Sequence, residues 1–245
     1  MAYPDEFYTE RKENAAYAAR AVLTPFLAAA SVESAIDFGC GIGSWLAVAK
    51  QLGVQTVRGV DGPWVNTALL EIDHAEFTEH DLSQPLEIDQ GYDLAISLEV
   101  AEHLPPERAR SFVEELCRAA GLVLFSAAVP GQGGRCHLNE QWPSFWTRLF
   151  AREGYQPIDC IRWWIWGDRD IEWWYRQNTI LFVGEDELGD TARRLNSAPV
   201  TDMSLLDLVH PALLAAKLKT LDSRGRLAER FFKLWFRKAC ASRSE

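Results

Sequence analysis

The sequence contains no run of about 18 uncharged apolar residues, the length a helix needs to cross a bilayer. No membrane-spanning helix is therefore expected. The opening stretch MAYPDEFYTERKENAAYAAR lacks the basic leader and apolar core of a signal peptide, so a cytoplasmic location is expected. Cysteine is sparse: Cys40, Cys117, Cys136, Cys160 and Cys240 make an odd set without a C-x-x-C pair. That argues against a disulfide framework and against a thiolate zinc site, and the five read as reduced thiols. Internal repeats and low-complexity tracts are also missing. No Lys-Ser/Thr follows the glycine-rich stretch at 39–43, which removes a nucleoside triphosphate loop from consideration.

What remains is an ordinary globular composition, 48% hydrophobic and 11% aromatic over 245 residues, enough for one substantial core. The formal net charge is −10, unevenly spread: residues 211–245 hold nine Lys/Arg against three Asp/Glu, and the rest hold 16 against 32. So acidic a body repels phosphate backbones, which makes nucleic acid an unfavourable substrate. In the basic tail, RLAERFFKLWFRKA spaces Leu227, Phe231, Leu234 and Trp235 helically. Such a helix packs on its own domain or meets a membrane surface or a partner protein.

Seven apolar or β-branched runs read as strands: 34–39, 56–61, 76–82, 92–98, 121–128, 157–166 and 178–184. Helical patterns lie between the early ones, at Ser44–Leu52 and Pro106–Ala119, and an alanine-rich helix over about 11–30 precedes them. Strands separated by helices imply βαβ units and a doubly wound, mostly parallel α/β sheet.

The stretch DFGCGIGSW puts Gly39, Gly41 and Gly43 between the first strand and a helix, where a ligand can approach bare backbone. Asp61, ending the second strand, suits a ribose-binding carboxylate for either a nicotinamide dinucleotide or S-adenosylmethionine. Asp37 separates these two: a carboxylate just before the loop repels a pyrophosphate but attracts the ammonium and sulfonium of S-adenosylmethionine. Asp81, with Leu82 beside it, ends the third strand and suits an adenine edge, or else serves as a turn cap. No Tyr-x-x-x-Lys base pair follows the glycine loop, so a nicotinamide-dependent oxidoreductase stands as an alternative without its usual base.

Taken together, DFGCGIG, GVDG, HDL and YDLAISLEVAEHL resemble the successive motifs of the class I S-adenosylmethionine-dependent methyltransferases, over about Ser34–Phe182. The resemblance implies a Rossmann-like seven-stranded sheet with one antiparallel strand. It assigns Asp37, Gly39, Gly41 and Gly43, with Leu98 and Glu99, to the methionine end of the cofactor. Asp61 and Gly62 fall to the ribose, and Asp81 and Leu82 to adenine. It divides the chain into an N-terminal helical cap (1–33), a cofactor-binding domain (34–184), and a linker with a basic helical tail (185–245). The stretch VPGQGGRCHLNEQWPSFW further resembles a bacterial subgroup of that family.

Methyl transfer from a sulfonium needs in-line positioning and a base for the nucleophile. If the turn after the fourth strand is helical, Glu99, Glu102 and His103 share one face, with His137 approaching from the next loop. His137, His103 and Glu102 are the candidate catalytic groups. Asn139, Glu140 and Trp142 are the candidate acceptor-binding residues.

Together Glu99, Glu102, His103 and His137 form a mixed oxygen and nitrogen set fit for Mg, Mn or Zn. The E-x-x-E-H pattern resembles that of small-RNA 2′-O-methyltransferases and ubiquinone-biosynthesis O-methyltransferases. The expected reaction is methyl transfer, at oxygen rather than nitrogen, to a small-molecule, lipid-linked or saccharide-like acceptor; a non-catalytic cofactor-binding module is the other alternative. RWWIW and IEWWYRQN crowd five of the ten tryptophans between residues 163 and 174, and these are expected chiefly to fill a seam between sheet and helix.

Overall fold

A computed structural model describes residues 5–221. The basic stretch 226–239 lies outside them. Contacts divide the chain into a large unit ending at Leu208 and a second unit from Val209, of which a helix over residues 211–221 is described.

The large unit begins with α1 (Asp5–Ala29), followed by β1 (Ser34–Phe38), α2 (Ser44–Gln51), β2 (Thr56–Asp61), β3 (Phe77–Glu79) and β4 (Tyr92–Leu98). Then come α3 (Ala109–Ala119), β5 (Ala120–Ser126), α4 (Pro143–Arg152), β6 (Tyr155–Ile158), α5 (Ile161–Ile165), α6 (Trp173–Asn178), β7 (Ile180–Gly184) and α7 (Glu185–Arg194). The strands form one seven-stranded sheet in the order β3-β2-β1-β4-β5-β7-β6. All pairings are parallel except those of β7, which runs antiparallel to both β5 and β6. The α/β sheet expected from the sequence is therefore present, with its single reversed strand.

Alternation along the central strands explains the two-sided core, because successive side chains point to opposite faces. Ala35, Leu94, Ile96, Leu122, Leu124 and Leu181 join α1, α2 and α5 on one face. Ile36, Phe38, Ala95, Val123, Phe125 and Phe182 meet α3 and α4 on the other. Trp146, Leu149 and Phe150 of α4 face this second core as their spacing predicts, and Phe150 stacks on Phe182 at 3.9 Å. β6 lies at the sheet edge, where Pro157 is tolerated because its missing N–H leaves no central ladder broken.

Two segments depart from the sequence reading. The run at 157–166 is not one strand: it ends as β6 at Ile158 and turns into α5, which buries Ile161, Arg162 and Ile165 while leaving Trp163 and Trp164 exposed. Arg162 fixes that turn by pairing with Asp159 at 2.6 Å and donating to the Gln177 and Leu206 carbonyls. Residues 185–194, expected to begin a linker, form α7; its acidic first turn and basic last turn complement the helix dipole. Among the described residues, Cys40, Cys117, Cys136 and Cys160 are free thiols, and no helix is long and apolar enough to cross a membrane.

Candidate active site

Parallel strands deliver their C-terminal ends to one edge, and there a cavity of about 890 Å³ opens. Asp37, Gly39, Gly41, Asp61, Asp81, Leu82, Leu98 and Glu99 all line it. Gly43 and Gly62 shape the surrounding loops. Gly43 caps α2 in a left-handed conformation (φ 85°), and the N–H of Gly62 donates to Asp61 at 2.7 Å.

The first loop needs its glycines. Gly39 has φ 85°, and a Cβ there would lie 2.4 Å from Val100 Cγ2, so only a bare backbone fits against the segment after β4. Asp61 reaches back to this loop, accepting from the Gly41 N–H at 2.7 Å and from the Trp64 indole at 3.0 Å. Burial raises its pKa, opposed by the Gly41, Gly62 and Trp64 hydrogen bonds. Asp37 is 4% exposed and is pushed well above the ordinary carboxylate range, first by burial and then by Asp61. Asp81 faces the same cavity from a turn, where it accepts from the Ser83 N–H at 2.9 Å. It is thus both a turn cap and a wall residue, and that bond lowers its pKa.

Past β4 the chain is not the helix face that the sequence suggests. Glu99 has φ 58°, and a single 3₁₀ turn, Ala101–His103, follows. Glu99 therefore leaves the set. Its carboxylate accepts from Gln132 Nε2 at 2.9 Å and Asn178 Nδ2 at 3.0 Å, and its N–H donates to Ser126. Burial raises its pKa against those bonds. Gln132, Gln177 and Asn178, which the sequence reading missed, make an amide network that ties α6 to the loops after β4 and β5.

Glu102 is 1% exposed, and neither of its carboxylate oxygens has a hydrogen-bond partner. Burial, then Glu99, raises its pKa well above the usual value. Its neighbours are the imidazoles of His103 and His137, whose ring centroids lie 4.9 Å apart and nearly perpendicular. Among the described residues, Glu102, His103 and His137 offer ligand atoms all within 4.8 Å of one another. Burial and the neighbouring His137 lower the pKa of His103, which keeps it neutral near pH 7. His137 is oriented from behind: Nδ1 lies 2.8 Å from Glu140 Oε1, while Glu140 also accepts from the Gly131 and Gly133 N–H groups at 2.7 Å. Burial opposes ionisation of Glu140, but these bonds outweigh it and lower its pKa.

The three residues expected to bind the acceptor do not line the cavity. Glu140 serves His137. Asn139 is 3% exposed behind Glu102, donating its N–H to the Glu102 carbonyl at 3.0 Å. Trp142 caps α4 at the surface, 37% exposed. The tryptophan-rich stretch splits: Trp163 and Trp164 are exposed, whereas Trp173, Trp174 and Tyr175 line the cavity, joined by Lys12 and Ala15 of α1.

Several solved structures share this fold. An amino pentose methyltransferase from Micromonospora echinaspora, bound to S-adenosylmethionine, matches with a TM-score of 0.56 at 11% identity, over 75% of this chain and 98% of that one. A methyltransferase of Haloferax volcanii in complex with the Trm112 activator gives 0.54 at 17% identity, over 75% and 99%. Human N-acetylserotonin methyltransferase with S-adenosylmethionine gives 0.51 at 17% identity, over 73% of this chain and 55% of that one, so the chain spans about half of that enzyme. No curated protein matches by sequence. The methyltransferase-domain family matches residues 11–178, and the chain belongs to it, a class I S-adenosylmethionine-dependent methyltransferase.

Proposed function

We propose that the protein transfers the cofactor methyl group to a hydroxyl oxygen of a small-molecule, lipid-linked or saccharide-like acceptor, with His137 as the base. One observation carries this reading: His137 lines the cavity with Nδ1 tied to a carboxylate. That bond fixes the tautomer and leaves Nε2 to take a proton. In the cofactor crevice, Asp61 and Gly62 hold the ribose, Asp81 and Leu82 flank adenine, and Asp37 with Gly39, Gly41 and Gly43 receives the cationic methionine end beside Leu98 and Glu99. The buried carboxylates of Asp37 and Asp61 at two strand ends, with the exposed Asp81 after the third, suit a cation and repel a pyrophosphate. Residues 1–33 act as a cap on this 34–184 core, a role supported by Lys12 and Ala15 at the cavity wall.

A second reading adds a metal, and the orphaned Glu102 carboxylate favours it. A buried carboxylate without donors is costly, and a divalent cation held by Glu102, His103 and His137 would satisfy it. Glu140 behind His137 matches the carboxylate–histidine pairing common at such centres. Such an ion, when bound, lowers the pKa of a coordinated hydroxyl.

The test is incubation of pure protein with methyl-labelled cofactor and fractionated extract, following the label by mass spectrometry. Label on oxygen, lost with His137→Ala while cofactor affinity persists, is expected. Label on nitrogen or carbon refutes the oxygen assignment. Turnover that is indifferent to chelator leaves His137 acting as a simple base.

A further inference from the structure

The cavity continues beyond the strand ends to α6, where Trp173 and Trp174 form part of its wall. These two indoles differ from the other aromatics nearby. Trp146 is 1% exposed and belongs to a core cluster, and Tyr175 packs on Trp45 at 5.6 Å, whereas Trp173 and Trp174 are half-buried at the cavity wall, Trp174 also meeting Tyr175 at 6.2 Å. Their rings touch at 5.4 Å with planes 82° apart. They form a corner on the cavity.

We infer that this corner seats the pyranose ring of a saccharide acceptor. The inference rests on the methyl-transfer reading and names its substrate class. A parallel pair of rings makes a slot for a flat aromatic molecule; a perpendicular pair does not. A puckered sugar ring instead presents polarised C–H groups on its face, which the negative face of an indole attracts, and hydroxyls around its rim. Around the corner, the cavity lining carries the mixed donors and acceptors that hydroxyls need, from Arg135, His103 and His137. The volume, about 890 Å³, lies near the top of the range for ligand pockets, roughly 300 to 1,000 Å³, which leaves space beside a nucleoside.

The test uses the full chain saturated with S-adenosylhomocysteine, so that acceptor binding is read apart from turnover. Methyl and octyl glycosides of the common aldohexoses, with their 6-deoxy and 2-acetamido forms, are compared with catechol and with acyclic sorbitol. Calorimetry gives affinity, and saturation-transfer NMR shows which protons touch the protein. At least one pyranoside should bind, with its ring C–H protons most strongly saturated; a preference for the octyl form assigns a lipid-linked source and a preference for the methyl form a free one. The double variant Trp173→Leu/Trp174→Leu keeps apolar volume but removes the ring faces. It should weaken that pyranoside at least about tenfold and change cofactor affinity by less than about twofold. Should the double variant fold poorly by circular dichroism, the single variants and the proton map carry the comparison. Catechol binding tighter than every pyranoside, no pyranoside binding at all, or equal losses of cofactor and sugar affinity would each overturn the inference. Pyranoside binding without any methyl transfer to it would refute the oxygen-transfer reading and leave this one standing.

Discussion

Replacing Arg108 with Met separates what a buried cation does for the fold from what it does for the cofactor crevice. Arg108 is 7% exposed and Glu115 is 1% exposed; they pair through two bonds of 3.0 and 2.9 Å. The same guanidinium donates to the Leu82 carbonyl at 3.3 and 3.1 Å and to the Gln84 carbonyl at 3.2 Å. It therefore clamps the loop that carries Asp81 and Leu82 into the cavity. Arg108→Met leaves the Glu115 carboxylate buried and unpaired, which should destabilise the protein by about 3–5 kcal/mol. Removing both charges, in Arg108→Met/Glu115→Leu, eliminates the orphan and should restore most of that stability, because an apolar pair of similar volume is often neutral.

The crevice should respond differently. In the double variant the Leu82 and Gln84 carbonyls still lack their donor, so cofactor affinity should stay roughly 1 kcal/mol, or about fivefold, below that of the parent. Urea titration gives the two stabilities, calorimetry gives the affinities, and kcat at saturating cofactor should be unchanged in the double variant. A single variant that costs less than about 1 kcal/mol would refute the reasoning. So would a double variant no more stable than the single, or one that binds S-adenosylmethionine as tightly as the parent.

Three more expectations follow from the site. Gly39→Ala forces a Cβ to 2.4 Å from Val100 Cγ2 at φ 85°, and should weaken cofactor binding at least about tenfold through the displaced loop; calorimetry that shows parental affinity would contradict the close approach. Glu140→Gln weakens the hold on His137 and should lower kcat about 10–100-fold while leaving cofactor affinity intact, and steady-state kinetics in which only the cofactor KM changes would remove Glu140 from this role. The third concerns protons. Burial raises the pKa of Asp37 and of Asp61, so the ligand-free native state binds more protons than the unfolded chain between the ordinary carboxylate range and the raised values. Its stability should fall as pH climbs through that window. A cationic cofactor favours the ionised carboxylates, so binding should release protons and tighten with rising pH; calorimetry in buffers of different ionisation enthalpy that finds proton uptake would reverse the sign.

Much of the fold could be read from the sequence because a short apolar or β-branched run marks a strand buried on both faces by itself. The runs at 34–39, 56–61 and 92–98 are of this kind, and their parallel pairing follows from the helices between them. The failures came where local preference and tertiary context disagree. In 157–166 the β-branched and aromatic content suggests a strand, but Ile161 and Ile165 stand one helical turn apart with Arg162 beside them, and the buried Arg162 contacts decide the outcome. In α7 only Thr191 is fully buried and the apolar side is short, Leu188 and Ala192 one turn apart, so the clearer signal was the run Glu185, Asp186, Glu187 before Arg193 and Arg194.

The site was legible where it hangs on strand ends and illegible where it depends on side chains meeting across the fold. Asp37, Asp61 and Asp81 reach one cavity because a parallel sheet sends successive strands to the same edge. Glu99 and Glu102 look alike in sequence, three residues apart, yet their hydrogen-bond states are opposite. Glu99 is saturated by Gln132 and Asn178, partners from distant loops that no local pattern announces. Such a carboxylate has spent its capacity on holding α6 against the sheet, so its positive φ is a consequence of that architecture. Glu102 sits equally deep with no side-chain donor, the backbone N–H groups of Glu102 and Ala128 only partly offsetting its burial, and such a carboxylate is destabilising unless something that arrives later completes it. The distinction between a structural acid and a reactive one therefore lies in what each still lacks, and Glu102, beside two imidazoles, is left with something to bind.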